Sequence, residues 1–398
     1  MATAYCSPVL GPVLKKVSSS IWRHQNKIRC NPLVVVSSSD RFSKTALYFG
    51  RACTEKVNVK RMHKCSLSAS YETLDEQPDS VHEEDEDYIS RYTLIWRAVK
   101  LPIYSVALIP LSVGSAVAYF QTGVFAARRY FLLLAGSILI ITWLNLSNDV
   151  YDFDTGADKN KKESVVNIIG SGSRTGTLIA AFMLLALGFG GLVWASIDAS
   201  NIRALLLLAS AVICGCIYQC PPFRLNYRAL GEPLCFAAFG PFATTAFYLM
   251  QSHTRMELPI TGTILAASIL VGFTTTLILF CSHFHQVEGD RAVGKMSPLV
   301  IIGRRRGSVV VKVAIITLYT LLFVLGLSRA LPFTCTLLCG LTMPIGNLVV
   351  NYVGKYHEDK AKIFMAKYYC VRLHSAFGVA LVVGLLVSRM MINKPIIF

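Results

Sequence analysis

Apolar residues run almost unbroken through nine stretches of the chain, at about 102–120, 130–148, 177–196, 203–219, 233–250, 262–282, 309–328, 331–350 and 370–388. The hydrocarbon core of a bilayer takes roughly 20 residues of helix but only about 10 of strand. Stretches of this length therefore predict transmembrane helices and not barrel strands. The predicted fold class is all-α, a polytopic transmembrane helical bundle of about nine helices. Composition agrees, since 54% of the chain is hydrophobic and 16% charged, against about 25% charged in a typical soluble domain.

Polar positions between the apolar runs alternate in character. The segment before the first run and the loops after the second, fourth, sixth and eighth carry most of the basic residues. Among them are Lys159, Lys161, Lys162, Arg174, Arg224, Arg228, Arg291, Lys295, Arg304, Arg305 and Arg306. The opposite side carries Arg128, Arg129, Arg203, Arg255, Arg329, Arg389 and Lys394. The basic side is the one from which such a protein is inserted.

The net charge of +16 changes meaning when split by region. Residues 1–70 are basic and Ser-rich, with Asp40 and Glu55 as their only acids. That is the pattern of an organelle transit peptide, and the apolar stretch near Leu33 to Val36 is too short for a secretory signal. Residues 71–90 hold nine acids and no Lys or Arg and read as an acidic disordered linker. The expected organisation is a chloroplast transit peptide over 1–70, the linker over 71–90 and a membrane domain over 91–398. The basic loops would then face the stroma of a chloroplast membrane, envelope or thylakoid. No soluble basic domain is left to bind nucleic acid. Cys214, Cys216 and Cys220 form the one tight cysteine group; without a CxxC spacing it reads as small apolar filling.

The acids of the membrane domain gather at two points, both on the basic side. Asp149, Asp152, Asp154, Asp158 and Glu163 follow the second run, and Glu288 and Asp290 follow the sixth. Carboxylates at membrane depth are costly and usually functional. In the first cluster Asn145, Asn148, Asp149 and Asp152 are spaced to share one helical face. Oxygen ligands of this kind suit Mg²⁺, which takes one or two carboxylates and leaves positions for substrate phosphate. Lys159, Lys161, Lys162 and Arg174 follow, with charge to neutralise a diphosphate. Gly170, Gly172 and Gly176 lie in the same loop, either to admit phosphate oxygens or merely to bend it. In the second cluster His283, Gln286 and Asp290 share a face if the helix continues. His283 and His285 diverge at i, i+2 with no third soft ligand nearby, so zinc is not expected. A histidine that hydrogen-bonds near the substrate head fits better.

Two acidic clusters with basic loops between them, above an apolar bundle, describe a site for Mg²⁺-bound diphosphate carrying a lipid tail. Metal and Lys/Arg would stabilise departing pyrophosphate. Aromatic faces would stabilise an allylic cation, with Trp143, Tyr151, Tyr218, Phe223 and Tyr227 as candidates. A lipid or ion transporter and a structural membrane subunit are the readings from other classes.

The stretches NDVYDFDTGAD, ESVVN, YQCPPFRLNYRALGEP and FHQVEGDRAVGKMSPLVIIG resemble the UbiA superfamily of intramembrane prenyltransferases, in the branch that acts on 1,4-dihydroxy-2-naphthoate. The resemblance covers about residues 91–390. It implies transfer of a phytyl or other polyprenyl group from its diphosphate to 1,4-dihydroxy-2-naphthoate, with loss of the carboxylate and pyrophosphate, towards phylloquinone. A homogentisate prenyltransferase is the alternative within the superfamily. Implied catalytic residues are Asp149, Asp152 and Asp290. Implied ligands for Mg²⁺ are Asn148, Asp149, Asp152, Asp158, Glu288 and Asp290. Substrate-binding candidates are Asn145, Lys159, Lys162, Arg174, Tyr218, Arg224, His283, Gln286 and Lys295. Many relatives carry Asp where this chain has Gln286, and Gln supplies no negative charge.

Overall fold

A computed structural model of the chain describes residues 101–157, 164–166, 173–251 and 258–392. The expected transit peptide and linker lie outside the described residues, as do Asp158, Lys159, Lys161, Lys162 and Glu163. Among the described residues the regular structure is helical throughout. After a short 3₁₀ turn, Leu101–Tyr104, come α1 (Ser105–Thr122), α2 (Ala127–Thr155), α3 (Arg174–Asp198) and α4 (Ile202–Gln219). Next are α5 (Gly231–Met250) and α6 (Gly262–Ser282). Two short helices follow, α7 (Val287–Ala292) and α8 (Pro298–Ile302), and then α9 (Arg304–Leu327). The chain ends with α10 (Phe333–Gly340), α11 (Met343–Tyr356), α12 (Lys360–Ile363) and α13 (Ala366–Ile392).

Eight of these helices are long and apolar enough to span a membrane, or nine if α10 and α11 count as one bent span. The run at 331–350, expected as a single helix, breaks instead at Leu341 and Thr342, with a bend of 42°. Pro344 explains the break: it suits the first turn of a helix but not its interior. The Thr342 hydroxyl satisfies the break by donating to the Cys339 carbonyl at 2.6 Å, and it also meets the Tyr319 hydroxyl at 2.8 Å.

α6 buries most of its length and packs on α5 and α13, while α2 packs chiefly on α3. The outer helices do the opposite. Ile179, Leu187 and Trp194 of α3 and Val313, Ile316 and Val324 of α9 are exposed. Apolar side chains turned outward are what a lipid-facing surface requires. Close approach inside the bundle depends on small residues. A Cβ on Gly272 of α6 would lie 2.8 Å from the Phe236 carbonyl oxygen and 3.0 Å from Gly240 Cα of α5. There α5 widens into a π-helical segment, Ala238–Thr244, around Pro241, which has no N–H to offer a helical carbonyl. The Thr244 hydroxyl caps the Phe239 carbonyl at 2.7 Å.

Two helix ends place the acid clusters. The second span does not stop near 148: α2 runs on to Thr155, so Asn148, Asp149, Asp152 and Asp154 are helical. Gly156 then ends it in the left-handed region at φ 79°, its N–H bonding the Phe153 carbonyl. Conversely, α6 stops at Ser282, and the chain tightens into a 3₁₀ turn over His283–His285 before α7 begins. His283, Gln286 and Asp290 thus do not share one continuous helix.

Candidate active site

The first cluster divides between two directions. Asn145, Asn148 and Asp152 line a cavity of about 320 Å³. Asn148 Nδ2 donates to Asp152 Oδ2 at 2.9 Å. Asp149 falls between those positions on the helix and is not among the cavity-lining residues. It is fully buried and accepts the Val165 N–H at 3.2 Å, against the loop that follows α2. The common face expected for all four residues therefore holds for three. Asp154 points elsewhere again, in a two-pronged ion pair with Arg174 at 2.5 Å.

The second cluster meets the first through a lysine. The buried Lys295 ammonium lies 3.4 Å from Asp290 Oδ1 and 4.0 Å from Asp152 Oδ2. Its own N–H bonds the Asp290 carbonyl at 2.8 Å, which closes the end of α7 around it. Tyr227 fastens the arrangement. Its hydroxyl meets Thr155 Oγ1 of α2 at 2.7 Å, its carbonyl accepts the Met296 N–H at 3.1 Å, and its ring lies 5.7 Å from the Lys295 ammonium. Burial pushes the Asp290 carboxyl above its ordinary pKa, against the pull of Lys295 and His283. Asp290 Oδ2 is buried with no hydrogen-bond partner.

The cavity beneath is largely apolar. Trp143, Leu144, Leu192, Leu208, Phe239, Phe247 and Ile278 are among its walls. Tyr218, Gln219, His283, His285, Gln286, Lys295, Lys367 and Tyr368 line it as well. His283 is held by Glu232, Nδ1 to Oε1, at 3.1 Å. Gln219 Nε2 donates to Ser147 Oγ at 2.5 Å.

Other candidates from the sequence sit off the cavity. Glu288 is bound to Arg304 at 2.6 Å and half exposed, because the turn at 283–285 and the start of α7 carry it to the outer side. Arg174 is occupied with Asp154. Arg224 adopts a left-handed backbone, φ 41°, and its guanidinium stacks 5.8 Å over the Tyr151 ring. Conversely, sequence reasoning passed over four residues near or lining the cavity: Glu232, Gln219, Lys367 and Tyr368. A lone acid between Gly231 and Pro233 at the head of a span was a signal for Glu232. Lys367 is one of several lysines after the eighth apolar run, and its spacing does not set it apart from the others.

Among the described residues no three His, Cys, Asp or Glu side chains come together as a ready-made metal site. The donors still fit a hard cation that shares its ligands with a phosphate. Asp152 and Asp290 offer carboxylate oxygens, Asn148 an amide oxygen, and the orphaned Asp290 Oδ2 lacks the partner that a buried acceptor needs.

A family model, the UbiA prenyltransferase family, matches residues 107–371. The chain belongs to the UbiA prenyltransferase family. The chain is similar to the chloroplastic 2-carboxy-1,4-naphthoquinone phytyltransferase of Arabidopsis thaliana. That protein is 62% identical over 343 residues, covering 86% of this chain and 89% of that one. The 2-carboxy-1,4-naphthoquinone phytyltransferase of Synechocystis sp. is 41% identical over 287 residues, covering 72% and 91%. The apo structure of a UbiA homolog from Aeropyrum pernix K1 superposes with a TM-score of 0.56 at 15% identity, covering 72% of this chain and 98% of that one. At that identity the likeness speaks for the fold. The protein is thus a membrane prenyltransferase, and the cavity between the two acid clusters is the candidate place for its chemistry.

Proposed function

We propose that the enzyme transfers a phytyl group from phytyl diphosphate to 1,4-dihydroxy-2-naphthoate. The acceptor is the two-electron-reduced form of the 2-carboxy-1,4-naphthoquinone in the relatives' names. Only the reduced, electron-rich ring is a good nucleophile for an allylic cation. The allylic C–O bond breaks and its electron pair leaves with pyrophosphate. The ring carbon bearing the carboxylate then bonds to C1 of the phytyl group. The carboxylate departs as CO₂, returning its bonding pair to the ring. The product is the prenylated naphthoquinol, a precursor of phylloquinone.

The observation that supports this reading is the Lys295 ammonium between Asp152 and Asp290, at the head of an apolar cavity. Asn148, Asp152 and Asp290 would hold Mg²⁺, which supplies charge neutralisation for the leaving pyrophosphate. Lys295 adds a fixed positive charge to the same place, worth most where water is excluded. Trp143 and Tyr218 face the cavity, with aromatic faces to stabilise the allylic cation. The apolar walls keep water from quenching it. Asp149 acts on the loop after α2, which it holds through Val165. In that loop we place Lys159 and Lys162 as diphosphate contacts and Asp158 as a further ligand. Gln286 contributes a neutral oxygen at the cavity wall. We assign the protein to a chloroplast membrane, with the acid clusters facing the stroma.

Purified protein given phytyl diphosphate, Mg²⁺ and either 1,4-dihydroxy-2-naphthoate or homogentisate tests the reading. A prenylated naphthoquinol that forms with Mg²⁺ and not with EDTA is expected. Turnover of homogentisate alone, or full turnover in the chelator, would contradict it.

A further inference from the structure

His283 and Glu232 stand at the cavity as a pair that the ionisation of a diphosphate does not require. Glu232 comes from the head of α5, between Gly231 and Pro233, and is buried. Its Oε1 lies 3.1 Å from Nδ1 of His283, which begins the 3₁₀ turn after α6. Its Oε2 is buried with no hydrogen-bond partner, and His283 is its one ion-pair partner among the described residues. His283 is buried too, and it lines the cavity, as Tyr218, Gln286 and Lys295 do.

An ionised Glu232 accepts from Nδ1. That fixes the tautomer and leaves the lone pair on Nε2, the ring nitrogen left to the cavity. A buried carboxylate beside a neutral imidazole is an unmatched charge; beside an imidazolium it is half of an ion pair. The pair therefore favours uptake of a proton at Nε2. The acceptor has such a proton to give. Its ring carbon 2, which carries the carboxylate, draws electron density from the neighbouring 1-hydroxyl. As that carbon bonds to phytyl C1, ring carbon 1 and its oxygen become a carbonyl, and the hydroxyl proton has to leave. Resting on the reaction proposed above, we propose that His283 is the general base for the 1-hydroxyl of the acceptor, with Glu232 as its positioning residue. The proton passes to Nε2 as the C–C bond forms, which gives a β-keto carboxylate. CO₂ then leaves, and the pair from its C–C bond forms the ring C1–C2 double bond while the carbonyl pair moves onto oxygen. The imidazolium returns the proton to that oxygen. The dyad ends as it began, with no net proton exchanged with solvent.

The test is steady-state kinetics on the purified full-length protein with phytyl diphosphate and Mg²⁺. The acceptors are 1,4-dihydroxy-2-naphthoate and a ring-fluorinated analogue with more acidic hydroxyls. His283→Asn can still hydrogen-bond Glu232 but takes up no proton. It should lower kcat for 1,4-dihydroxy-2-naphthoate about 10²-fold or more, the scale of one general base, with the KM for phytyl diphosphate within about twofold. The loss should be several-fold smaller for the fluorinated acceptor, because a more acidic hydroxyl needs less help from a base. Glu232→Gln should show the same acceptor dependence with a smaller loss. If His283→Asn does not fold, His283→Gln is read in the same way. Wild-type turnover, an equal loss for the two acceptors, or a matching rise in the KM for phytyl diphosphate would overturn the assignment while leaving the reaction intact. A wild-type protein that makes no prenylated naphthoquinol would remove the reaction itself, and this assignment with it.

Discussion

Replacing Lys295 by Met removes the charge at the centre of the site while keeping most of the side-chain volume. Its ammonium is 3.4 Å from one Asp290 oxygen and 4.0 Å from one Asp152 oxygen. At an effective dielectric of about 20 these separations correspond to roughly 5 and 4 kcal/mol of gross attraction. Desolvation of the three buried groups offsets much of that. Breaking a buried pair by removing one partner typically leaves a net loss of about 3–5 kcal/mol, because the remaining charge stays unmatched. Lys295→Met should therefore destabilise the metal-free protein by roughly 3 kcal/mol. Asp290→Asn in the same background should recover part of the loss, since it removes one unmatched charge. The assay is unfolding in detergent with EDTA present, for wild type, Lys295→Met, Asp290→Asn and the double variant. The double-mutant cycle should show a coupling of about 1 kcal/mol or more. Excess Mg²⁺ should narrow the gap between Lys295→Met and wild type. Additive effects within about 0.5 kcal/mol would refute the idea that Lys295 joins the two acid clusters electrostatically.

Three further outcomes follow from the same structure. Gln286→Asp adds a carboxylate at the cavity wall and should lower the Mg²⁺ concentration for half-maximal turnover; an unchanged or higher requirement would place that side chain away from the metal. Gly272→Val drives a side chain into the Phe236 carbonyl and Gly240. It should cost about 1–3 kcal/mol of stability with little change in turnover per folded molecule, read by parallel melting and activity measurements. Single cysteines at Arg305 and Lys355 should react with a membrane-impermeant reagent from one face, and one at Arg329 from the other. Labelling of Arg305 and Arg329 from the same face would overturn the sidedness drawn from the basic loops.

Much of the fold was legible because a bilayer leaves few options: long apolar runs must be helices, although hydropathy ended the second near 148 where α2 runs on to Thr155. The run at 331–350 misled because an apolar average does not register a two-residue break before Pro344. The position of the acid clusters on one side was equally plain from residue order. Their geometry was not. Helical spacing placed Asp149 with Asn148 and Asp152, yet the side chain is claimed by Val165 across a loop, a contact that periodicity on one helix does not encode. Glu288 lay close to Asp290 in sequence, but the turn at His283–His285 carries it outward to Arg304. Lys295 and Lys367 stand at one cavity although 72 residues separate them in the chain. Only the packing of α13 against α6, and of α12 against the turn after it, brings them together.

The central claim is a single coupled event in this cavity: one phytyl transfer, one pyrophosphate released and one carboxylate lost. Its most direct measurement uses 1,4-dihydroxy-2-naphthoate labelled with ¹⁴C in the carboxyl group, with phytyl diphosphate and purified protein, and counts released ¹⁴CO₂, pyrophosphate and prenylated product together. The account predicts equal amounts of all three in wild type. It also predicts a fall in all three of about 10²–10³-fold in Asp152→Asn, the scale of one lost electrostatic contact to a developing charge. Pyrophosphate released without prenylated product or ¹⁴CO₂, or an Asp152→Asn variant that works at the wild-type rate, would contradict it.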